Sequence, residues 1–154
     1  MKQEHRFVAD LYRYIAPFID TAEPIFLSLD GEAAKKGVSE KHFGDAGIPD
    51  MWFTLVGATM PTLIEAKIVE GKKVTLSQSQ LCAWRGRGPG AHKPCAWVAA
   101  NDSFEKYFCW RHDDFVSLLD TCTSERKYPQ IRIPSNAQEF ADIRLVALAL
   151  LRTC

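Results

Sequence analysis

Two carboxylates and a lysine form the grouping in this chain that most suggests a reactive site. Asp50 follows Ile48-Pro49, and Glu65 and Lys67 lie in an apolar run. Fourteen residues separate Asp50 from Glu65, which is room for a strand, a glycine turn and a second strand. In such an antiparallel pair the carboxylates meet at one end of the sheet, and Lys67 shares the face of Glu65. This grouping suits a hard divalent cation and an attacking water.

The order Ile48-Pro49-Asp50 and then Glu65-Ala66-Lys67 resembles the PD-(D/E)xK nuclease superfamily. Glu4 on a first helix and Leu76-Ser77-Gln78-Ser79-Gln80 after the lysine strand are similar to its VRR-NUC and Holliday-junction-resolvase-like branches. The resemblance covers roughly the first hundred residues. It implies a single nuclease-like domain over residues 1–154, with a restriction-endonuclease-like α/β fold in which helices flank a central mixed β-sheet.

The resemblance also implies roles for individual residues. The catalytic residues it implies are Asp50, Glu65, Lys67 and Gln80. The ligands it implies for Mg²⁺ or Mn²⁺ are Glu4, Asp50, Glu65 and the carbonyl of Ala66. Lys67 would orient or activate the attacking water and offset charge on the phosphate. Gln80 would contact the water or a phosphate of the scissile strand, and Gln78 is an adjacent candidate.

Ordinary structural roles compete with these assignments. Asp50 can be a turn residue before a strand, and Lys67 can be a surface lysine at a strand end. A carboxylate at Glu65 is costly in an apolar strand unless a metal, or an ion pair with Lys67, compensates for the lost water.

Glu4 and Gln80 have structural alternatives of their own. Glu4 shares a helical face with Phe7, Val8 and Leu11, which would turn it inward. It can equally be an exposed first-turn glutamate favoured by the helix dipole. Ser77-x-x-Gln80 is a capping-box pattern, and one Gln80 rotamer would not fully serve both capping and catalysis.

Basic residues fall near the proposed site and could hold DNA phosphates. Those that follow the site in the chain are Lys72, Lys73, Arg85, Arg87, Lys93 and Arg111. Lys35 and Lys36 resemble the basic residues that precede the aspartate motif in the family. Solvated loop charges explain these residues equally well. The net charge of +0 argues against a general nucleic-acid coat protein, but it leaves open a nuclease with an acidic centre.

Hydrophobic periodicity predicts the elements that position these residues. The predicted helices are 3–18, 77–85, 113–122 and a last one capped by Ser135 that becomes apolar by 145–151. The predicted strands are 24–29, 50–56, 62–69, 95–100, 106–110 and 130–133. Residues 30–46 and 85–93 are predicted mostly as loops, and 70–73 as a turn. Trp52 and Trp110 could stack on bases, although tryptophans in strands usually pack in a core.

Composition places the chain among ordinary globular proteins. It has 154 residues, 47% hydrophobic and 25% charged, which is typical of one domain with a real core. No run is long enough for a membrane span and no signal peptide is visible. Five cysteines without a Cys-x-x-Cys pair favour free thiols in a reducing compartment. We therefore expect a cytoplasmic protein, of a bacterium or a phage-infected cell.

Residues and resemblance together predict a Mg²⁺- or Mn²⁺-dependent deoxyribonuclease, an endonuclease that hydrolyses DNA phosphodiester bonds. Since no second domain for reading sequence is visible, the prediction is structure-selective cutting of branched DNA or junctions by a homodimer. One alternative is a catalytically silent nuclease-fold protein that serves as a binding or structural component, for instance of a phage particle. A further alternative is a restriction endonuclease.

Overall fold

The computed structural model describes residues 3–28, 34–36, 49–85 and 92–153. Its helices are α1 (Gln3–Ile15) with a following 3-10 turn (Ala16–Phe18), α2 (Gln78–Trp84), α3 (His112–Asp120) and α4 (Ile143–Thr153). Its strands are β1 (Ile25–Leu27), β2 (Ala34–Lys36), β3 (Met51–Phe53), β4 (Thr62–Val69), β5 (Lys73–Thr75), β6 (Ala96–Asn101), β7 (Tyr107–Arg111), β8 (Gln130–Arg132) and β9 (Gln138–Phe140).

A mixed sheet with the order β2-β1-β3-β4-β6-β7-β9 forms the centre of the fold. The pair β4–β6 is parallel, and the other paired neighbours in this sheet are antiparallel. β5 and β8 form a separate two-stranded ribbon. The predicted α/β class, with a central mixed sheet flanked by helices, is therefore confirmed.

Helices cover both faces of the sheet, and β4 contributes to both layers. Ile64 and Ala66 are fully buried in a core that includes residues of α1 and α4. Val69 belongs to a second core that includes Trp84 of α2 and Phe115 of α3. Strand side chains alternate between the two faces of a sheet. Residues two or four positions before Val69 therefore face the same side as Val69. Glu65 and Lys67 therefore face the α2 and α3 side.

The last predicted helix begins later than its pattern suggested. Residues Gln138–Phe140 form β9 and pair with Tyr107–Cys109 of β7, and the helix begins at Ile143. Asp142 Oδ1 accepts the backbone N–H of Arg144 at 2.8 Å, so Asp142 caps this helix and Ser135 does not. Long-range strand pairing here overrides the local capping pattern.

Two further predictions about the elements need correction. Part of the predicted loop 30–46 is a strand, because Ala34–Lys36 pairs antiparallel with β1; the other residues of that loop lie outside the described residues. The strand predicted at 50–56 is shorter, with only Met51–Phe53 in β3. Of the loop predicted at 85–93, residues 86–91 also lie outside the described part of the chain.

Cysteine chemistry and helix lengths bear on the expected location. Cys82, Cys109 and Cys122 are free thiols, whereas Cys95 is disulfide-bonded. The expectation of free thiols is therefore wrong for Cys95. Among the described residues, no helix has the length and apolar character that a membrane crossing requires.

Arg85 joins the end of α2 to the end of α3. Its Nε donates to the carbonyl of Leu119 at 3.2 Å and its Nη2 to the carbonyl of Cys122 at 2.6 Å. Carbonyls at a helix C-terminus carry partial negative charge and attract a cation. The guanidinium thus has a structural role at a position that the sequence assigned to DNA binding.

Replacing Arg85 with alanine should destabilise the fold by about 1–3 kcal/mol, because two carbonyls lose charged donors. Urea denaturation measures this change in the free energy of unfolding. The matched control is Arg152→Ala on the exposed side of α4, for which we expect less than about 0.5 kcal/mol. Equal effects of the two substitutions would contradict the role of Arg85.

Candidate functional site

The candidate site lies where β4 continues past Met51, the first residue of the antiparallel strand β3. β3 pairs with Thr62, Leu63 and Ile64 only, so the next N–H groups on this edge of β4 need other acceptors. Asp50 Oδ2 accepts the N–H of Ala66 at 3.0 Å, and the Glu4 carboxylate accepts that of Ile68. Two carboxylates, one from the start of β3 and one from α1, thus replace a neighbouring strand.

Glu65 and Lys67 are buried beside these carboxylates, with exposed fractions of 1% and 5%. Burial raises the pKa of Glu65 well above its ordinary value, and the charge of Asp50 and a hydrogen bond with that residue add to the rise. Oε2 of Glu65 is buried and has no hydrogen-bond partner within the described residues. The alternative that Lys67 is a surface lysine is wrong.

Lys67 lies among three carboxyl groups. Burial lowers its pKa, but the charges of Glu65, Glu4 and Asp50 outweigh that effect and raise it. The pKa of Glu4 is also raised, mainly by burial, even though the charge of Lys67 acts in the opposite direction. The alternative of a fully exposed Glu4 is therefore wrong. One ammonium cannot neutralise all three carboxylates, so the cluster needs a proton or a cation.

Gln80 connects this cluster to α2. Its Oε1 accepts the backbone N–H of Ser77 at 3.2 Å and the Nζ of Lys67 at 3.3 Å. Its own N–H donates to Ser77 Oγ at 3.1 Å, which completes a capping box. A single rotamer therefore caps the helix and also contacts Lys67 of the cluster. Gln78 points elsewhere, because its Nε2 donates to the carbonyls of Ser124 and Arg126.

The donor groups of the cluster fit a hard divalent cation. The partnerless Oε2 of Glu65 is an available oxygen ligand, and Asp50 adds a second carboxylate. Because the N–H and C=O of one strand residue point to the same side, the carbonyl of Ala66 also faces this edge. Oxygen donors of this kind are those that Mg²⁺ prefers. Nevertheless, no group of three His, Cys, Asp or Glu residues in the described ranges is already arranged to hold a metal.

The described members of the predicted DNA-binding set lie on different elements of the fold. Lys72 in the turn from β4 to β5 and Lys73, the first residue of β5, are exposed. Arg85, in contrast, is bound by carbonyl groups at the end of α3. Lys93 is partly exposed. Arg87 and the side chains of Lys35 and Lys36 lie outside the described residues.

His5 and Ser28 border the cluster, although no sequence pattern predicted either residue there. Ser28 N–H donates to the carbonyl of Asp50 at 2.8 Å, and Ser28 Oγ lies 3.5 Å from His5 Nε2. The charge of His5 also lowers the pKa of Glu4. A single histidine carries no spacing signal. Only the position of His5 directly after Glu4 in the chain could have indicated that His5 lies beside the cluster.

No family model, curated protein or solved structure matches this chain. The function is therefore inferred from the geometry of the site and from the resemblance of its motifs.

The stability of the metal-free protein should depend on pH through Glu65. Above the ordinary glutamate pKa of 4.5 the unfolded chain loses this proton first, because burial keeps the folded pKa higher. The folded state should thus lose stability as the pH rises from about 4.5 to the raised folded pKa. We expect Glu65→Gln to flatten this loss.

Urea denaturation at a series of pH values, with EDTA present, tests this expectation. The control is Glu105→Gln, an exposed carboxylate in the turn between β6 and β7, which should keep the slope of the unsubstituted protein. If Glu65→Gln and Glu105→Gln had the same pH dependence, the buried charge at Glu65 would not be the cause.

Proposed function

We propose that this protein is a metal-dependent nuclease that hydrolyses DNA phosphodiester bonds, and that its sheet is the restriction-endonuclease-like kind that the motifs resemble. The observation that carries the proposal is the buried Glu65 carboxylate, which is hydrogen-bonded to Asp50, adjoins Lys67 and has an Oε2 without a partner among the described residues. Burying such a carboxylate is costly. A bound cation would offset this desolvation cost, so a cation site would explain why the carboxylate is buried.

The residues of the cluster have separable roles in this proposal. Asp50, Glu65 and the Ala66 carbonyl would hold Mg²⁺ or Mn²⁺, with Glu4 as a further acid. The bound ion supplies a water of lowered pKa and polarises the phosphate. Lys67, kept cationic by its neighbours, stabilises negative charge that develops on the phosphate. Gln80 fixes the Lys67 ammonium through the contact at 3.3 Å.

The substrate and assembly proposed with this activity are branched DNA and a homodimer in the cytoplasm. Lys72 and Lys73 are exposed cations at the end of the strand that carries the site, where they can contact phosphates. Leu145 and Leu148 of α4 are 49% and 46% exposed, and such apolar side chains suit contact with a second copy.

A nuclease-fold protein that binds but does not cut is the second candidate. One observation favours it: the carboxylates are not preassembled as a metal site within the described residues, and Glu65 is hydrogen-bonded to Asp50. In a protein of this kind, Glu65 would keep its proton and the cluster would bind no cation.

The test is cleavage of an end-labelled four-way junction and of linear duplexes of the same sequence, with Mg²⁺, Mn²⁺ or EDTA. We expect cutting that requires the metal and prefers the junction. Asp50→Asn keeps an oxygen for the Ala66 N–H but removes a charged ligand, so the rate should fall at least about a hundredfold. The matched control is Asp114→Asn, an exposed aspartate in α3, which should cut at the unsubstituted rate.

Three results of this assay would contradict different parts of the proposal. Equal cutting of junction and linear DNA would remove the structure selectivity and favour a restriction enzyme. Cutting that survives Asp50→Asn would remove this site from the reaction. Absence of cutting by folded protein with either metal would favour the binding protein.

A further inference from the structure

Trp52 lies on the same face of the sheet as Glu65, because its cross-strand partner Leu63 is two residues from Glu65 and side chains two apart share a face. Trp52 is also two residues from Asp50 along the chain, a separation of about 7 Å. Across the sheet Trp52 is paired with Phe26 on one side and Leu63 on the other. Leu63 in turn is two residues before Glu65, so this row of apolar side chains adjoins the acidic cluster.

Trp52 differs from the other tryptophans of the chain in its exposure. Trp84 and Trp97 are 0% exposed and Trp110 is 3% exposed, and all three belong to the core beneath α2 and α3. Trp52 is partly exposed. Neither core cluster of described residues includes Trp52, Phe26 or Leu63. Trp110 is therefore a core residue, as tryptophans in strands usually are, whereas Trp52 is not.

The ring of His92 is an aromatic neighbour of Trp52 among the described residues. The two ring centroids are 5.0 Å apart and the planes are inclined by 56°, which is a tilted contact and not a stack. Lys93, the residue after His92 in the chain, is a partly exposed cation. An aromatic face with a nearby cation and a phosphodiester site is the combination that binds single-stranded nucleic acid, in which bases stack on aromatic rings.

We propose that Trp52 is the stacking platform for an unpaired base of the DNA strand whose phosphate lies at Asp50 and Glu65. This inference rests on the proposed nuclease function and deepens it by naming the substrate class. The distance of two strand residues between Trp52 and Asp50 is comparable to the length of one nucleotide. A base inside a duplex has both faces covered by its neighbours, so stacking on Trp52 requires a base that is already unpaired or easily flipped.

The consequence is selectivity without base-specific hydrogen bonds. Single strands and flaps supply bases that are already unpaired, and a branch point interrupts the continuous stack, whereas a base inside a continuous duplex must first lose pairing and stacking. Since every base has an aromatic face, such a platform tolerates any sequence. Trp52 would thus confer preference for the shape of the DNA.

Intrinsic tryptophan fluorescence tests this inference directly, because three of the four tryptophans are buried. Single-stranded oligothymidylate and a continuous duplex are titrated, with Mg²⁺, into protein carrying Asp50→Asn, so that neither DNA is cut. We expect the single strand to quench the emission and the duplex to quench it much less. Trp52→Leu in the same background should lose the quenching and bind the single strand about tenfold more weakly.

Two further variants keep this test decisive. Trp52→Phe retains an aromatic ring, so it should keep most of the affinity even if Trp52→Leu folds poorly. Tyr128→Leu removes an aromatic ring that is 56% exposed elsewhere on the surface, and it should bind like the parent. Equal binding by Trp52→Leu and Tyr128→Leu, or equal quenching by duplex and single strand, would overturn the inference.

Failure of this inference and failure of the proposed function are distinguishable. A protein that cuts junctions but shows no quenching by single strands is a nuclease without this platform. A protein that cuts nothing, and yet is quenched through Trp52, supports the platform and shows that the fold binds DNA without cutting it.

Discussion

The site depends on one constraint, which is the burial of the Glu65 carboxylate in an otherwise apolar strand. Its exposed fraction is 1%, and transfer of such a group out of water costs several kcal/mol unless charge or hydrogen bonds compensate. The surrounding elements provide polar and charged groups that compensate for this cost. β4 provides Lys67, the start of β3 provides Asp50, and the capping box of α2 holds the ammonium of Lys67 through Gln80.

When its three carboxyl groups are ionised, the cluster lacks one positive charge or more. Lys67 is a single cation among Glu4, Asp50 and Glu65, and burial raises the pKa values of both glutamates. A proton on Glu65 can complete the balance in the absence of metal. A divalent cation can complete it more effectively, because it binds the oxygens that the proton occupies. The same charge deficit thus connects the pH dependence of folding to the proposed chemistry.

The sequence predicted the parts of this site that are set by local pattern. The alternation in β4 correctly put Glu65 and Lys67 on one face, and Ser77 with Gln80 correctly indicated the cap of α2. The grouping with Asp50 followed from the spacing of two strands. The resemblance to nuclease motifs supplied the metal and the reaction, which stay predictions.

Features that depend on long-range packing were not predictable in the same way. The capping pattern at Ser135 did not show that residues 138–140 pair with β7, so the start of α4 was misplaced. Nor did the basic character of Arg85 show that helix carbonyls bind its guanidinium. The partial exposure of Trp52 depends on which parts of the sheet the helices cover, and strand periodicity alone contains no such information.

Diffraction from crystals soaked in Mn²⁺ shows whether the carboxylate cluster binds a divalent cation, because anomalous scattering locates the ion without assuming its ligands. We expect one strong peak that is directly coordinated by carboxylate oxygens of Asp50 and Glu65 and by the Ala66 carbonyl. A peak elsewhere, or none at this cluster while Glu65 stays hydrogen-bonded to Asp50, would contradict this expectation.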